Sequence, residues 1–302
     1  MTHPPVLVEY FTDPLCSWSW ALEAGWRRVL GEHDGCVGYR YRMGGLLQDW
    51  SVYRDPINVV SGPAQMAPAW YLVRKTTGVA LDEALWKRDP PESSFPPCIA
   101  VKAAEMQGAA AGERYLRRLR EAAALAGRNI ARPEVLVEVA VEMADEDGLA
   151  FDAARFASDL TGEAAHDRFA DDLRETRRAG ISRFPSLIFR GPQGSRLVVG
   201  FRPHAMLEEV LAAVGAAPPP RPALLPGDYM ARWHSATAAE LALATGGTEG
   251  EAARWLEEEA RGGRLAAAGD GPFRIYRVRR PQESSDQGHG ARGDDQIGAY
   301  RP

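Results

Sequence analysis

The spacing of hydrophobic residues changes several times along this chain, and each change marks an element boundary. Residues 6–11 (Val-Leu-Val-Glu-Tyr-Phe) are a short β-branched and aromatic run that reads as a buried strand. The period then turns helical: Trp18, Leu22, Trp26, Val29 and Leu30 form a stripe, with Arg27, Arg28 and Glu32 off it. Residues 36–43 alternate and predict a second strand, parallel to the first across a right-handed crossover. From about residue 58 to 180 the pattern is almost wholly helical. Ala-rich segments at 98–108, 112–127, 134–144, 152–160 and 163–179 are separated by Gly, Pro and Asp. Strands resume at 186–189 and 196–199 around Gly191-Pro192-Gln193-Gly194, a hairpin signal. A helix opening at Pro203 follows, with the stripe Met206, Leu207, Val210, Leu211 and Val214.

The order β-α-β, helical block, β-β-α is the thioredoxin arrangement with a large helical insertion. The predicted fold class is therefore α/β, with one domain over residues 1–217 and the insertion at about 58–180. A Pro-rich linker at 218–226 leads to a second unit at 227–281. It reads as a short helix at 229–234, two helices at 238–245 and 249–261 joined at Gly246-Gly247, and strands at 265–267 and 274–278. Together these predict a winged-helix-like module. Residues 282–302 are rich in Gly, Ser, Asp and Gln without a stripe and are expected to be disordered.

Composition narrows the function classes. The 302 residues are 45% hydrophobic and carry a formal charge of -5 with no basic block, which speaks against nucleic-acid or membrane-surface binding. On the second helix of the pair, Glu249, Glu251, Glu257, Glu258 and Glu259 outnumber Arg254 and Arg261. A protein-contact or packing role is expected there instead of DNA binding, despite Arg274, Arg277, Arg279 and Arg280 beyond it. No export-signal pattern and no apolar run of membrane-span length is present, so a cytoplasmic location is expected. Cys16, Cys36 and Cys98 show neither metal-ligand spacing nor a disulfide framework, so no metal is expected and a reducing compartment fits. His3, His33, His166, His204, His234 and His289 are scattered and are expected at the solvated surface.

The chemistry centres on Cys16, where the first strand hands over to the first helix. In a first helical turn, free N–H groups and the helix dipole stabilise a thiolate and lower the thiol pKa from about 8.5. The competing reading is an inert, buried small hydrophobe. At the fourth position of the motif, the resolving cysteine of a Cys-x-x-Cys device is replaced by Ser19, which hydrogen-bonds a thiolate but cannot close a disulfide. Pro185 heads the third strand. It is either an ordinary strand-start proline or a cis Phe184-Pro185 linkage that frees the Phe184 backbone for an extended peptide or peptide-like thiol opposite Cys16. Trp18 lies on the helix stripe and is expected in the core. Trp20 lies off it and is expected to line the cleft, whereas Cys36 is expected in a central strand.

With these residues in place, the chain resembles the DsbA family of thioredoxin-fold proteins, in particular its cytosolic FrnE-type and SpxH adaptor branches. Gly44-Gly45-Leu46 with Asp49-Trp50, Gln65-Met66-Ala67-Pro68 with Trp70, and Ser94-Phe95-Pro96-Pro97-Cys98 carry the likeness further. The resemblance places the nucleophile on Cys16, the family's second cysteine on Ser19 and its cis-proline on Pro185. The departure at Ser19 argues against the family's dithiol chemistry and leaves a monothiol role, with a thiol-containing protein or peptide as partner. Glutathione or another low-molecular-weight thiol is the alternative occupant, since related kappa-class glutathione transferases and isomerases carry serine in this turn. No other cofactor is implied. The resemblance also turns Ser94 and Cys98 toward the cleft, with Cys98 as a resolving thiol supplied by the insertion; silent packing of Cys98 between helices is the alternative. A non-catalytic adaptor presenting a partner to a protease is the rival to thiol chemistry.

Overall fold

β1 (Val6–Thr12) runs through the middle of the main sheet and passes by way of Asp13, Pro14 and Leu15 into α1 (Ser17–Glu32). The chain returns as β2 (Val37–Met43), parallel to β1 with Val6 opposite Val37 and Thr12 opposite Met43. The computed structural model describes residues 5–56, 59–146, 150–217 and 224–279. The helical insertion comprises α2 (Met66–Thr77), α3 (Leu85–Arg88), α4 (Phe95–Glu105), α5 (Ala109–Ala124), α6 (Pro133–Glu146), α7 (Ala153–Leu160) and α8 (Glu163–Arg178). β3 (Ser186–Gly191) then pairs antiparallel with β1, and β4 (Gly194–Val199) antiparallel with β3, giving the order β2-β1-β3-β4. α9 (His204–Ala213) completes the thioredoxin-like unit.

Beyond it lie α10 (Pro226–Trp233), β5 (Ser235–Ala236), α11 (Ala238–Thr245), α12 (Glu249–Arg261), β6 (Leu265–Ala268) and β7 (Ile275–Val278), whose strands form a second sheet of order β5-β7-β6. α11 and α12 each start on a capping box: Thr237 with Glu240, and Thr248 with Glu251. Gly246 ends α11 in the left-handed region at φ 73°, a conformation that favours glycine. β5 escapes the sequence pattern because two residues show no alternation. Residues 218–223 of the expected linker and the tail expected at 282–302 lie outside the described residues.

α1 departs from its predicted stripe. Thirteen of its 16 residues are buried, because the sheet covers one side, α2 and α5 a second, and α9 and α11 a third. A polar position on such a helix is not a solvent position. Trp20 is accordingly buried and Trp18 only partly so, the reverse of the expectation. Trp26 anchors the sheet face, meeting Tyr10, Tyr39 and Phe189 edge-on at ring-centroid distances of 5.9, 5.8 and 6.4 Å. The same core continues through Leu30, Leu207 and Leu211 into Tyr229, Trp233 and Leu256 of the C-terminal unit. Cys36 is only half-buried, since it precedes β2 at the sheet edge and not a central strand.

Polar groups also enter this interior. Arg117 of α5 donates to Glu240 of α11 through Nη1 (2.8 Å) and Nη2 (2.6 Å), and to Glu121 at 2.6 Å. Arg27 of α1 donates to Glu23 at 2.7 Å and to the Tyr229 hydroxyl at 3.0 Å. Glu23 also takes Arg120 at 2.8 Å, and Glu121 takes Arg277 of β7 at 2.8 Å. One buried ionic network thus ties α1, the insertion and the C-terminal unit together. Three of the histidines expected at the surface are drawn inward as well: His33 is buried against Glu208, His204 is half-buried against Glu32, and His234 is half-buried.

Candidate functional site

Cys16 is the N-cap of α1, one position before its first turn, and its side chain makes no capping hydrogen bond. The backbone turn is closed by Cys16 N–H donating to Asp13 O at 3.2 Å and Trp20 N–H donating to Cys16 O at 3.0 Å. The Sγ donates instead across the cleft to the carbonyl of Phe184, at 3.4 Å. The Phe184-Pro185 bond is cis. The structure therefore brings Cys16, Phe184 and Pro185 together, although they are far apart in sequence. Ser19 lies beside them, fully buried, and its Oγ has no hydrogen-bond partner among the described residues.

The electrostatics correct the expectation of an acidified thiol. Cys16 is 5% exposed. Burial raises its pKa above the ordinary thiol value and Asp13 adds to the rise, while Ser19 and the Arg120 guanidinium act against it without reversing it. A helix start stabilises a thiolate only if the sulfur reaches the free N–H groups, and desolvation here outweighs that contribution.

Asp13, which sequence reasoning passed over, organises the floor of the site. Its Oδ1 accepts from Leu15 N–H at 2.9 Å; its Oδ2 accepts from Leu46 N–H and the Ser94 hydroxyl, both at 2.7 Å, and from the Cys98 thiol at 3.3 Å. Ser94 also accepts from Leu47 N–H at 3.0 Å. Ser94 and Cys98 are both wholly buried. They fasten the start of α4 to the Cys16 turn and do not line the cleft as expected. Burial and the neighbouring Asp13 carboxylate push the Cys98 thiol well above its ordinary pKa, and all three cysteines are free. Trp20 is likewise withdrawn from the cleft: its Nε1 donates to Ala80 O at 3.0 Å and the Arg117 guanidinium stacks 4.5 Å from its ring.

Gly44 and Gly45 now have a physical reason. A Cβ at Gly44 would lie 2.0 Å from Phe184 Cζ, so the absence of a side chain seats the half-buried Phe184 ring beside the thiol. Gly45, at φ 64°, abuts Phe95 and Phe169 of the insertion. A cavity of about 290 Å³ lies elsewhere, between β2 and the α4–α5 pair, lined by Tyr39, Lys102 and Glu113 among others.

A strand, a cysteine turn, a helix and an opposed cis-proline on a β2-β1-β3-β4 sheet define the arrangement, and a family model described as Thioredoxin matches residues 10–207. The chain belongs to the thioredoxin family. Its relatives place it in the SpxH-like branch of DsbA-type thioredoxin folds. It is 27% identical over 244 residues to the ClpXP adapter protein SpxH of Halalkalibacterium halodurans, covering 79% of this chain and 78% of that one. Among solved structures, the cytosolic disulfide reductase DsbM from Pseudomonas aeruginosa superposes with a TM-score of 0.51 at 25% identity, over 68% of this chain and 98% of DsbM. A protein described as a probable DsbA oxidoreductase from Streptomyces coelicolor gives a TM-score of 0.53 at 21% identity, over 73% and 94% of the two chains, a likeness of fold. The thioredoxin-family chain thus has a thiol-disulfide oxidoreductase type of fold. Among the described residues no helix is long and apolar enough to cross a membrane.

Proposed function

We propose that this protein is a cytoplasmic adaptor of the SpxH kind, which uses the thioredoxin cleft to hold a partner protein and delivers it to a ClpXP-type protease. The observation that carries the reading is the state of Cys16: buried, raised in pKa, and set in a turn where Ser19 stands in place of a second thiol. The insertion supplies no substitute, because the Cys98 thiol is committed to Asp13. What the cleft retains is recognition geometry, the Phe184 carbonyl beside a cis-proline, a backbone edge suited to an extended peptide. The C-terminal unit, which we read as winged-helix-like, serves protein contact: α12 exposes Glu249, Glu251, Glu257 and Glu258, while Arg277 is turned inward to Glu121.

The test compares wild type with Cys16→Ala and Phe184→Ala. Partners are captured from cells and identified, and their degradation by ClpXP is followed with purified components. The adaptor reading expects Cys16→Ala to capture and accelerate degradation as wild type does, and Phe184→Ala to weaken both. Loss of capture in Cys16→Ala, with a partner trapped as a mixed disulfide on Cys16 in wild type, would overturn it.

A second reading is mixed-disulfide chemistry of Cys16 with a peptide or low-molecular-weight thiol. It is favoured by the buried Ser19 hydroxyl beside the sulfur, which acts to stabilise the thiolate, and by the fold shared with DsbM, which has also been solved with GSH. A glutathione adduct on Cys16 formed at neutral pH would distinguish it.

A further inference from the structure

The end of α1 and the first two turns of α9 bring two histidines and two carboxylates together, away from the Cys16 cleft. His204 Nε2 lies 2.7 Å from Glu32 Oε2 and 3.4 Å from Glu208 Oε1. One donor atom from each of Glu32, His204 and Glu208 can be chosen so that all three lie within 4.8 Å of one another. Each carboxylate is also gripped from behind: Glu32 Oε1 accepts from Arg28 Nε at 2.9 Å, and Glu208 Oε2 lies 2.9 Å from His33 Nε2. His33 is itself 2% exposed. Glu208 Oε1, on the side toward His204, is buried and makes no hydrogen bond among the described residues.

We propose that Glu32, His204 and Glu208 form a binding site for one divalent transition-metal ion of the zinc class. The i,i+4 spacing puts His204 and Glu208 on one face of α9, opposite Glu32. A tetrahedral ion with bonds of about 2.0–2.1 Å sets its ligand atoms about 3.3 Å apart, so the His204–Glu32 pair at 2.7 Å must open slightly, the His204–Glu208 pair at 3.4 Å already fits, and the Glu32–Glu208 pair need close from no more than 4.8 Å. One imidazole among oxygen donors suits zinc and its neighbours better than calcium or magnesium. Three protein ligands leave a fourth position for water, and the half-buried His204 and Glu208 leave the ion a path from solvent. His33 holds Glu208 in the binding orientation, as partners behind metal ligands do. The bound ion fastens the end of the helix that carries Cys16 to the helix that follows β4.

The test uses the full chain with zinc chloride, and separately cobalt chloride, against EDTA. Wild type is expected to bind one equivalent of zinc, to melt at a higher temperature with it, and to show a cobalt spectrum without a thiolate charge-transfer band. His204→Ala and Glu208→Gln are expected to lose that equivalent, and His33→Ala to weaken it by about 10- to 100-fold. Melting in EDTA shows whether each variant is folded, and Glu208→Gln preserves side-chain size. No zinc binding by wild type, or binding of unchanged stoichiometry and affinity in both folded His204→Ala and Glu208→Gln, would overturn the proposal.

Discussion

Replacing Glu240 with alanine tests how the C-terminal unit is held. Its carboxylate takes both Arg117 Nη groups at 2.6 and 2.8 Å, the Tyr229 hydroxyl at 3.0 Å and Arg27 at 3.4 Å, and it closes the capping box of α11. Arg117 and Arg27 have side chains only 2% and 4% exposed, so water does not replace the lost partner. Removing one member of such a buried ionic group costs about 3–5 kcal/mol, chiefly because charge is left uncompensated. Glu23 and Glu121 still contact the two arginines, which puts the expectation near the lower end, about 3 kcal/mol. Urea denaturation of wild type, Glu240→Ala and Glu240→Gln measures it, with the glutamine expected between the other two. Limited proteolysis locates the effect: cleavage should accelerate first within 224–279. A loss under about 0.5 kcal/mol, the range of ordinary surface substitutions, would refute the reasoning.

Further outcomes follow from the same geometry. Gly44→Ala places a methyl group 2.0 Å from Phe184 Cζ; it should cost about 1–3 kcal/mol by overpacking and speed alkylation of Cys16 as the ring moves away, and unchanged stability and reactivity would contradict the packing. Ser94→Ala strips Leu47 N–H of its acceptor and Asp13 of a donor, for an expected loss of about 1–3 kcal/mol in thermal or urea denaturation. Glu23 is buried, which alone would raise its pKa, but Arg27, Arg117 and Arg120 hold it down at about 2. A depressed carboxylate contributes stability that is in place above its ordinary value near 4.5 and is lost as pH falls through about 2. Acid titration of wild type should show that loss, and Glu23→Gln should flatten it.

How far this molecule can be read from its sequence depends on the range over which each feature is decided. The Cys16 hand-over is legible because hydrophobic spacing changes within a few residues of Thr12, and α11 and α12 are legible as a pair because Gly246-Gly247 separates them. Pro185 is legible as the residue that heads the third strand. What could not be read is which faces of a helix are covered. Trp20 is buried by Ala80 and Arg117, 60 and 97 positions away, so no local stripe places it. Arg117 and Arg120 look like surface residues of α5, yet their partners Glu240 and Glu23 lie 123 and 97 positions away. Ser94 and Cys98 were traceable to the neighbourhood of the cysteine turn, but their direction is set by Asp13, whose role shows only when the start of α4 is packed against it. The direction of the thiol pKa is not legible for the same reason: the helix start is local, whereas the covering that desolvates Cys16 is not.

The most direct test of the central claim, a recognition cleft around a subdued thiol, is the pH profile of Cys16 alkylation in a Cys36→Ser, Cys98→Ser background, in which a hydroxyl still faces Asp13. The account predicts a slow reaction at neutral pH, rising only above the ordinary thiol range near 9. A fast reaction at pH 7 that falls off only in acid would show an activated nucleophile and contradict it.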